Sequence, residues 1–244
     1  MNNSVHNDDC FNIFPLIKDN SIDAIISDPP FGTTRMKWDS VLDLDKIWEE
    51  YKRILKPNGV VVLFAQTPFD KLLGCSNLPW LKYEWIWEKT QATGHLNAKK
   101  MPMKAHENIL VFYNKLPTYN PQKTTGHKPM NSYTKYIKTQ NNTEIYGSMK
   151  KEISGGGDTD RYPRSVLLFS SDKQKSCLHP TQKPLSIMEY LVKTYTNEGD
   201  VVLDNTAGSG TTGIACINTN RKYILIEKEK KYYDIIIDRI NKNN

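Results

Sequence analysis

The residues best suited to do chemistry in this chain are Asp28-Pro29-Pro30-Phe31. They follow a short apolar run at residues 22–27, which predicts a buried strand. The prolines disfavour both helix and ladder pairing, so we expect Asp28 at the strand's carboxyl end, where open α/β sheets bind ligands. Asp28 and the Pro29 carbonyl can each accept one hydrogen from an exocyclic amine, and Phe31 can stack on its ring. The motif predicts a pocket for a planar amine, with an ordinary strand-ending turn as the alternative.

A second candidate site is the glycine-rich segment after the apolar run at residues 201–203. Its sequence is Asp204-Asn205-Thr206-Ala207-Gly208-Ser209-Gly210-Thr211-Thr212-Gly213. The glycines satisfy the Gly-x-Gly-x-x-Gly pattern, and Glu227 lies at the end of the next predicted strand. This favours a dinucleotide or another nucleoside-bearing cofactor, with the acid on the ribose. A purely structural tight turn is the alternative, and a P-loop is disfavoured because no Gly-Lys-Ser/Thr follows at the required spacing.

Alternating apolar runs and amphipathic stretches surround both segments and would position them. The predicted elements are strands at 22–27, 60–65, 83–89, 108–113, 201–204 and 223–227, and helices at 47–56, from Pro184 to about 194, up to 217 and at 230–240. This order predicts an α/β protein with a mostly parallel, twisted sheet and helices on both faces. Because the glycine segment has one strand before it and one after it, the other strands must come from residues 1–114. Both candidate sites are then expected at one edge of the sheet.

The middle of the chain differs in composition. Residues 115–175 are rich in Thr, Asn, Lys, Tyr and Gly, which predicts a loop-rich insertion into a core formed by 1–114 and 176–244. The 244 residues include 33 Lys and Arg against 27 Asp and Glu, but residues 89–175 alone hold 15 against 6. This basic segment favours a polyanion as partner, with a solvated charged face as the alternative.

Composition also excludes several classes of protein. A hydrophobic content of 38% is typical of globular chains, and no apolar run approaches the length of a membrane span. The start of the sequence lacks the basic and apolar regions of a secretory signal. The four cysteines are scattered without a Cys-x-x-Cys pair, which argues against structural zinc and for reduced thiols. We therefore expect a cytoplasmic protein without a metal site.

Taken in order, the motifs resemble the S-adenosylmethionine-dependent amino-methyltransferases of DNA, which act on adenine N6 or cytosine N4. The Asp-Pro-Pro-Phe motif precedes the glycine segment, with a variable region between them, as in the permuted group often called beta. Further family positions match at Asp9-Cys10, at Ala105-His106-Glu107-Asn108-Ile109-Leu110-Val111-Phe112 and at His179-Pro180-Thr181-Gln182-Lys183-Pro184. The match covers nearly all of residues 5–240 outside the insertion. It implies a Rossmann-like methyltransferase fold with a circularly permuted motif order.

The resemblance implies a role for each matching residue. The predicted catalytic residues are Asp28, Pro29, Pro30 and Phe31. Phe31 would stack on a base rotated out of the duplex. S-adenosylmethionine would be the cofactor, with Asp204 on its ammonium, Glu227 on its ribose, Asp9 on its adenine and Lys183 near its methionine end. The predicted cofactor-binding set is Asp9, Cys10, Asp28, Lys183, Asp204, Thr206, Ala207, Gly208, Gly210, Thr211, Thr212 and Glu227.

The resemblance also makes the inserted region the target-recognition region and double-stranded DNA the partner. The predicted DNA contacts are Lys99, Lys100, Lys104, Arg161 and Arg164. Adenine N6 is the leading target because Asp rather than Ser precedes the prolines, and cytosine N4 is the main alternative. An RNA substrate or a nicotinamide-dependent oxidoreductase is less favoured, since the latter leaves the Asp-Pro-Pro-Phe motif without a role. A homodimer and a cognate restriction endonuclease are left open as partners.

Overall fold

The computed structural model describes residues 3–32, 40–130, 133–136, 152–155, 157–170 and 182–243. The strands are β1 (Ser4–His6), β2 (Ile22–Ser27), β3 (Leu55–Ala65), β4 (Leu81–Thr93), β5 (Lys104–Phe112), β6 (Tyr133–Tyr136), β7 (Glu152–Gly155), β8 (Val166–Phe169), β9 (Val201–Asp204) and β10 (Lys222–Ile226). The helices are α1 (Cys10–Ile13), α2 (Leu44–Ile54), α3 (Phe69–Ser76), α4 (Leu185–Tyr195), α5 (Thr211–Asn218) and α6 (Lys230–Asn243), with 3-10 turns at Phe14–Leu16 and His95–Asn97.

The chain divides into two compact units. The larger unit, Met1–Asn120 with Arg164–Asn244, is built on a sheet with the strand order β1-β10-β9-β2-β3-β5-β4-β8. The neighbouring strands β1, β10, β9, β2 and β3 are parallel to one another. The predicted α/β class with a mostly parallel sheet is therefore confirmed, and β2 and β9 lie side by side in its centre.

The strand β5 is antiparallel within the mostly parallel sheet that the sequence pattern predicted. It runs antiparallel to both of its neighbours, β3 and β4. The physical reason is the connection between β4 and β5, which is residues 94–103 and forms the tip of a long hairpin. A parallel pair needs a crossover of a dozen or more residues, usually with a helix, so this short connection reverses the strand.

Side chains of the sheet alternate between two apolar cores. On one face, Val60, Val62 and Phe64 of β3 pack in a buried cluster with α4, α5 and α6. On the other face, Val61 and Leu63 pack in a second cluster with α1, α2 and α3. Because a strand exposes successive side chains to opposite faces, an uninterrupted apolar run such as 60–65 indicates burial on both sides.

The helix α2 shows how local signals set an element's limits. The Asp43 side chain caps its first turn by accepting a hydrogen bond from the Lys46 amide. Ile47, Tyr51 and Ile54 are buried along one stripe, as their spacing predicted. Strand β3 then begins at once with Leu55, opposite Ile22, rather than at residue 60, and the ladder has an irregularity between Ile22 and Ala24 of β2.

The smaller unit is Pro121–Pro163. Its strands β6 and β7 pair antiparallel, and an isolated bridge joins Thr124 to Arg161. The insertion predicted at 115–175 also spans β8, which pairs with β4 in the main sheet, and several stretches outside the described residues. The predicted family segment at 179–181 likewise lies outside the described residues. None of the described helices is long and apolar enough to cross a membrane.

Candidate active site at the carboxyl edge of the sheet

The two predicted sites meet at the carboxyl ends of β2 and β9. Ile25 lies opposite Leu203 in this parallel pair, so Asp28 and Asp204 are brought to one edge. The buried Ser27 hydroxyl donates to Asp204 Oδ1 at 2.8 Å, and the Thr206 hydroxyl donates to the Asp28 carbonyl at 3.1 Å. The strand that ends in the proline motif is therefore hydrogen-bonded directly to the glycine segment.

Asp204 is a buried carboxylate that organises this junction. It accepts hydrogen bonds from Ser27 Oγ, from the Thr206 amide at 3.1 Å and from Thr212 Oγ1 at 2.5 Å. Burial raises the pKa of Asp204 above its ordinary value, and these hydrogen bonds oppose the rise. A carboxylate has about four acceptor positions, and three of them are used by residues that the structure describes. The predicted contact with a cofactor ammonium would use the remaining one.

The glycine segment folds back onto the end of β10. Glu227 accepts the Gly208 amide on Oε2 and the Glu229 amide on Oε1, each at 2.8 Å. Gly208 and Gly210 both have left-handed backbones, with φ of 54° and 75°. The side chain of Glu227 is nearly buried, and this burial raises its pKa to about 7 against the two amide hydrogen bonds. Glu227 thus both shapes the loop and presents a carboxylate at its base.

Other members of the predicted cofactor set surround this loop. Ala207, Thr211 and Thr212 are buried beside it. Asp9 caps the first turn of α1 through the Phe11 amide at 3.0 Å and pairs with Lys228 at 3.0 Å, which places it beside the end of β10. Cys10 is buried, and burial raises the pKa of its thiol to about 11, so it is not a reactive thiolate.

Asp28 has one paired and one unpaired oxygen. Its Oδ2 accepts Lys183 Nζ at 2.6 Å, whereas Oδ1 is buried without a hydrogen-bond partner among the described residues. Burial raises the pKa of Asp28 to about 6, the positive charge of Lys183 lowers it, and the negative charge of Glu107 raises it. An unpaired buried acceptor is costly, which marks Oδ1 as a place for a hydrogen-bond donor from outside the protein.

Phe31 is held in place by an aromatic partner that sequence reasoning missed. Its ring stacks on Phe69 at a centroid distance of 5.3 Å and an interplanar angle of 24°. One face of Phe31 is therefore occupied, and a planar ligand would need the other. Phe69 is the first residue of α3 and is buried. Its position in the sequence, shortly after a strand, did not indicate this contact with Phe31.

Sequence reasoning also assigned no chemical role to Glu107 and Arg239. Glu107 lies on β5 and pairs with Lys183 at 3.2 Å and with Lys89 at 2.6 Å. The only local signal was a charged residue two positions before the apolar run 109–112. Arg239 of α6 donates to the Ser209 carbonyl at 2.6 Å and so ties the glycine segment to the last helix. Nothing local in the sequence indicates that contact.

The predicted DNA contacts fall into two groups. Lys99, Lys100 and Lys104 are exposed at the tip of the β4–β5 hairpin, where Lys104 Nζ donates to Gln66 Oε1 at 2.8 Å. Arg164 is exposed two residues before β8. Arg161, in the smaller unit, donates from its guanidinium to the backbone carbonyls of Asp158, Asp160 and Lys128. These bonds engage the Arg161 guanidinium within its own unit.

Comparison with known proteins identifies the family. A family model described as DNA methylase, of the N6/N4 type, matches residues 22–238. The chain belongs to this family. The methylase is 30% identical over 240 residues to the type II methyltransferase M.HpaI of Haemophilus parainfluenzae, covering 92% of this chain and 70% of the relative. It is 28% identical to the DNA adenine methyltransferase YhdJ of Escherichia coli K12, covering 91% and 76%.

Solved structures agree with this assignment. The methylase matches the crystal structure of the M1.HpyAVI–SAM complex with a TM-score of 0.64 and 26% identity, over 97% of this chain and 98% of that one. It also matches the cytosine-N4-specific PvuII DNA methyltransferase with a TM-score of 0.68, over 98% and 86% of the two chains. At 15% identity, the second match shows a shared fold. The predicted family and methyltransferase fold are confirmed.

Proposed function

We propose that this DNA methylase transfers a methyl group from S-adenosylmethionine to the N6 amine of adenine in duplex DNA. The single observation that carries the proposal is Asp28 Oδ1, which lies buried at the carboxyl edge of the sheet and has no hydrogen-bond partner among the residues that the structure describes. Exocyclic amines of bases donate two hydrogens, and this oxygen together with the Pro29 carbonyl offers two acceptors. Because the target atom is unreachable inside a duplex, the base has to rotate out of the stack to meet them.

The residues around Asp28 suit the chemistry of an amine that is a poor nucleophile. Its lone pair is delocalised into the ring, and acceptors at Asp28 Oδ1 and the Pro29 carbonyl favour a tetrahedral nitrogen. S-adenosylmethionine, when bound, supplies an electrophilic methyl group on a sulfonium. The new bond joins nitrogen to that carbon, the carbon–sulfur electron pair stays on sulfur, and Asp28 Oδ1 takes up the amine proton. Phe31, braced by Phe69, would stack on the flipped base through its other face.

The loop at the ends of β9 and β10 fits the cofactor. Among the described residues, Glu227 keeps an acceptor position on each carboxylate oxygen beyond its two amide hydrogen bonds, which suits the two hydroxyls of a ribose. Because Gly208 has no side chain, it can adopt the left-handed backbone of this turn without steric cost. Asp9 lies beside the same strand end, within reach of Lys228. S-adenosylmethionine is the cofactor, as the family and the M1.HpyAVI–SAM complex support.

Adenine is favoured over cytosine by the residue that precedes the prolines and by the relative YhdJ, whose name is DNA adenine methyltransferase. The two acceptors by themselves would serve cytosine N4 as well, because that amine has the same two hydrogens. The difference between the bases therefore becomes an outcome of the experiment below.

The β4–β5 hairpin supports DNA as the substrate. Strand β3 ends at Ala65, opposite Asn108, while β5 starts at Lys104, opposite Thr93. The hairpin thus continues beyond β3 at the same edge as Asp28. Its tip carries the exposed Lys99 and Lys100, which can neutralise phosphates beside the flipped base.

The test is mass spectrometry of nucleosides from DNA of a methylation-deficient bacterial host that expresses the protein. We expect N6-methyladenine with the wild type, its loss with Asp28→Asn, and its retention with the control Asp23→Asn. Asp23 lies near the other end of β2 and pairs with Lys56, so this control removes a carboxylate of the same strand. N4-methylcytosine would keep the mechanism and overturn adenine as the target. If neither methylated base is detected although the protein is soluble and binds S-adenosylmethionine, duplex DNA as the substrate would be overturned.

A further inference from the structure

A ladder of four alternating charges runs inward from Asp28 through the larger unit. Asp28 pairs with Lys183 at 2.6 Å, Lys183 with Glu107 at 3.2 Å, and Glu107 with Lys89 at 2.6 Å. The exposed fractions of the four side chains are 20%, 8%, 12% and 10%, so water contributes little to their charge balance. They come from four places in the fold: the end of β2, the residues before α4, β5 and β4.

The surroundings of Lys183 fix its ammonium between the two carboxylates. Besides Asp28 and Glu107, Nζ lies 5.1 Å from the centre of the Phe64 ring and 5.7 Å from that of Phe31. Two carboxylates and the nearer aromatic ring, that of Phe64, compensate the charge of a buried lysine, whose removal from water is otherwise costly. Lys183 is therefore held at Asp28 by its own environment, and Glu107 supplies the second anchor.

We propose that Lys183 is a positioning residue for Asp28, which it holds as a carboxylate with Oδ2 occupied and with Oδ1 unpaired among the described residues. This inference rests on the proposed amine-accepting role of Asp28. A protonated Asp28 would present a hydroxyl donor where an acceptor is needed. With Oδ2 occupied by Lys183, one oxygen alone is left for the target amine, which fixes the direction from which the base must approach.

The charges that face Asp28 among the described residues give opposite expectations for Lys183 and Glu107. They are Lys183 before α4, Glu107 on β5 and Asp204 on β9. The positive charge of Lys183 lowers the pKa of Asp28, whereas the negative charges of Glu107 and Asp204 raise it. Removal of Lys183 must then favour the protonated acid, and removal of Glu107 must favour the carboxylate. A merely structural role would not give shifts of opposite sign.

The first measurement is the pH dependence of kcat/KM for methyl transfer to DNA. Because Asp28 acts as a carboxylate, activity of the wild type should rise with pH through about 6. Lys183→Met should move this rise upward by about one to three pH units, the usual effect of losing a neighbouring opposite charge. Glu107→Gln, which is nearly isosteric, should move the rise to lower pH. Lys183→Arg keeps the positive charge, so the rise should stay near the pH of the wild type. Lys56→Met, which breaks the comparable 2.7 Å pair with Asp23 near the other end of β2, is the control and should leave the profile unchanged.

The second measurement needs no activity. Carbon-13 NMR of labelled aspartate carboxyls, with the Asp28 signal assigned by its loss in Asp28→Asn, reports the titration of Asp28 in the protein without cofactor or DNA. We expect a midpoint near 6 in the wild type, a higher one in Lys183→Met and a lower one in Glu107→Gln. The inference would be overturned if the Asp28 titration midpoint were the same in all three proteins, or if it moved in the same direction in both variants. A wild type that makes no methylated base would overturn the proposed function, while this titration would still decide the role of Lys183.

Discussion

Gly210 offers a sharp test of how the glycine segment is built. Its φ is 75°, in the left-handed region, and a Cβ added there would lie 2.9 Å from Ile236 Cγ1 and 3.0 Å from Cγ2. The left-handed backbone costs a residue with a Cβ about 1–2 kcal/mol. Overpacking of a buried site costs about 1–3 kcal/mol more, since a β-branched side chain on a helix has essentially one rotamer and Ile236 is fully buried. Gly210→Ala should therefore lower the free energy of unfolding by about 2–5 kcal/mol.

A matched control separates the two causes. Gly199 has a φ of 84°, but a Cβ there meets no described atom within 4 Å, so Gly199→Ala should cost the backbone contribution alone. The measurement is urea unfolding without cofactor, followed by the tryptophan fluorescence. Gly210→Ala should exceed Gly199→Ala by about 1–3 kcal/mol, and in Gly210→Ala/Ile236→Ala the two costs should be less than additive by a similar amount. Equal costs at the two glycines would refute the packing argument.

Three further predictions concern a buried acid, a buried hydrogen bond and the hairpin tip. The folded protein binds the Glu227 proton more tightly than the unfolded chain, so the contribution of this carboxyl to stability falls as pH rises from about 4.5 to about 7. In urea unfolding without cofactor, the free energy of unfolding of Glu227→Gln should therefore rise relative to that of the wild type by about 3 kcal/mol across that window. Tyr195→Phe should lower the free energy of unfolding by about 1–3 kcal/mol, because Trp85 Nε1 then loses the buried hydroxyl that it reaches at 2.6 Å. Lys99→Ala/Lys100→Ala should weaken DNA binding across sequences and reduce the slope of log K against log salt by about 2, measured by fluorescence anisotropy.

Each of these has its own control or contrary result. If the free energies of unfolding of Glu227→Gln and the wild type differed by the same amount at every pH, the raised pKa assigned to Glu227 would be contradicted. Tyr83→Phe removes the other hydroxyl partner of Tyr195, at 2.9 Å, and should cost less because Trp85 keeps its acceptor. Lys18→Ala/Lys222→Ala removes two exposed charges near the amino ends of β2 and β10, and should leave the salt slope unchanged. An equal effect of both lysine pairs would argue for general charge attraction rather than contacts at the tip.

Local signals in the sequence were sufficient for the elements that carry the two motifs. The apolar run before Asp28 forms β2 with the predicted limits, and the run before the glycine segment forms β9 from Val201 to Asp204. Both are short and apolar on both faces; two prolines follow β2 and a glycine-rich segment follows β9, so a few neighbouring residues predict each strand and its end. Several motifs in a fixed order also indicated the family, because each constrains a different part of one fold.

What only the tertiary structure decided are contacts between residues far apart in the chain. The partners of Asp28 come from the residues before α4 and from β5, and which lysine reaches which carboxylate depends on the register of the sheet. The antiparallel direction of β5, the stacking of Phe69 on Phe31 and the contact of Arg239 with the glycine segment have the same origin. The sequence determined which chemical groups stand at the edge of the sheet, because local patterns set strand ends. Their pairing was decided by the packing of four separate elements, since side-chain distances arise from the fold as a whole.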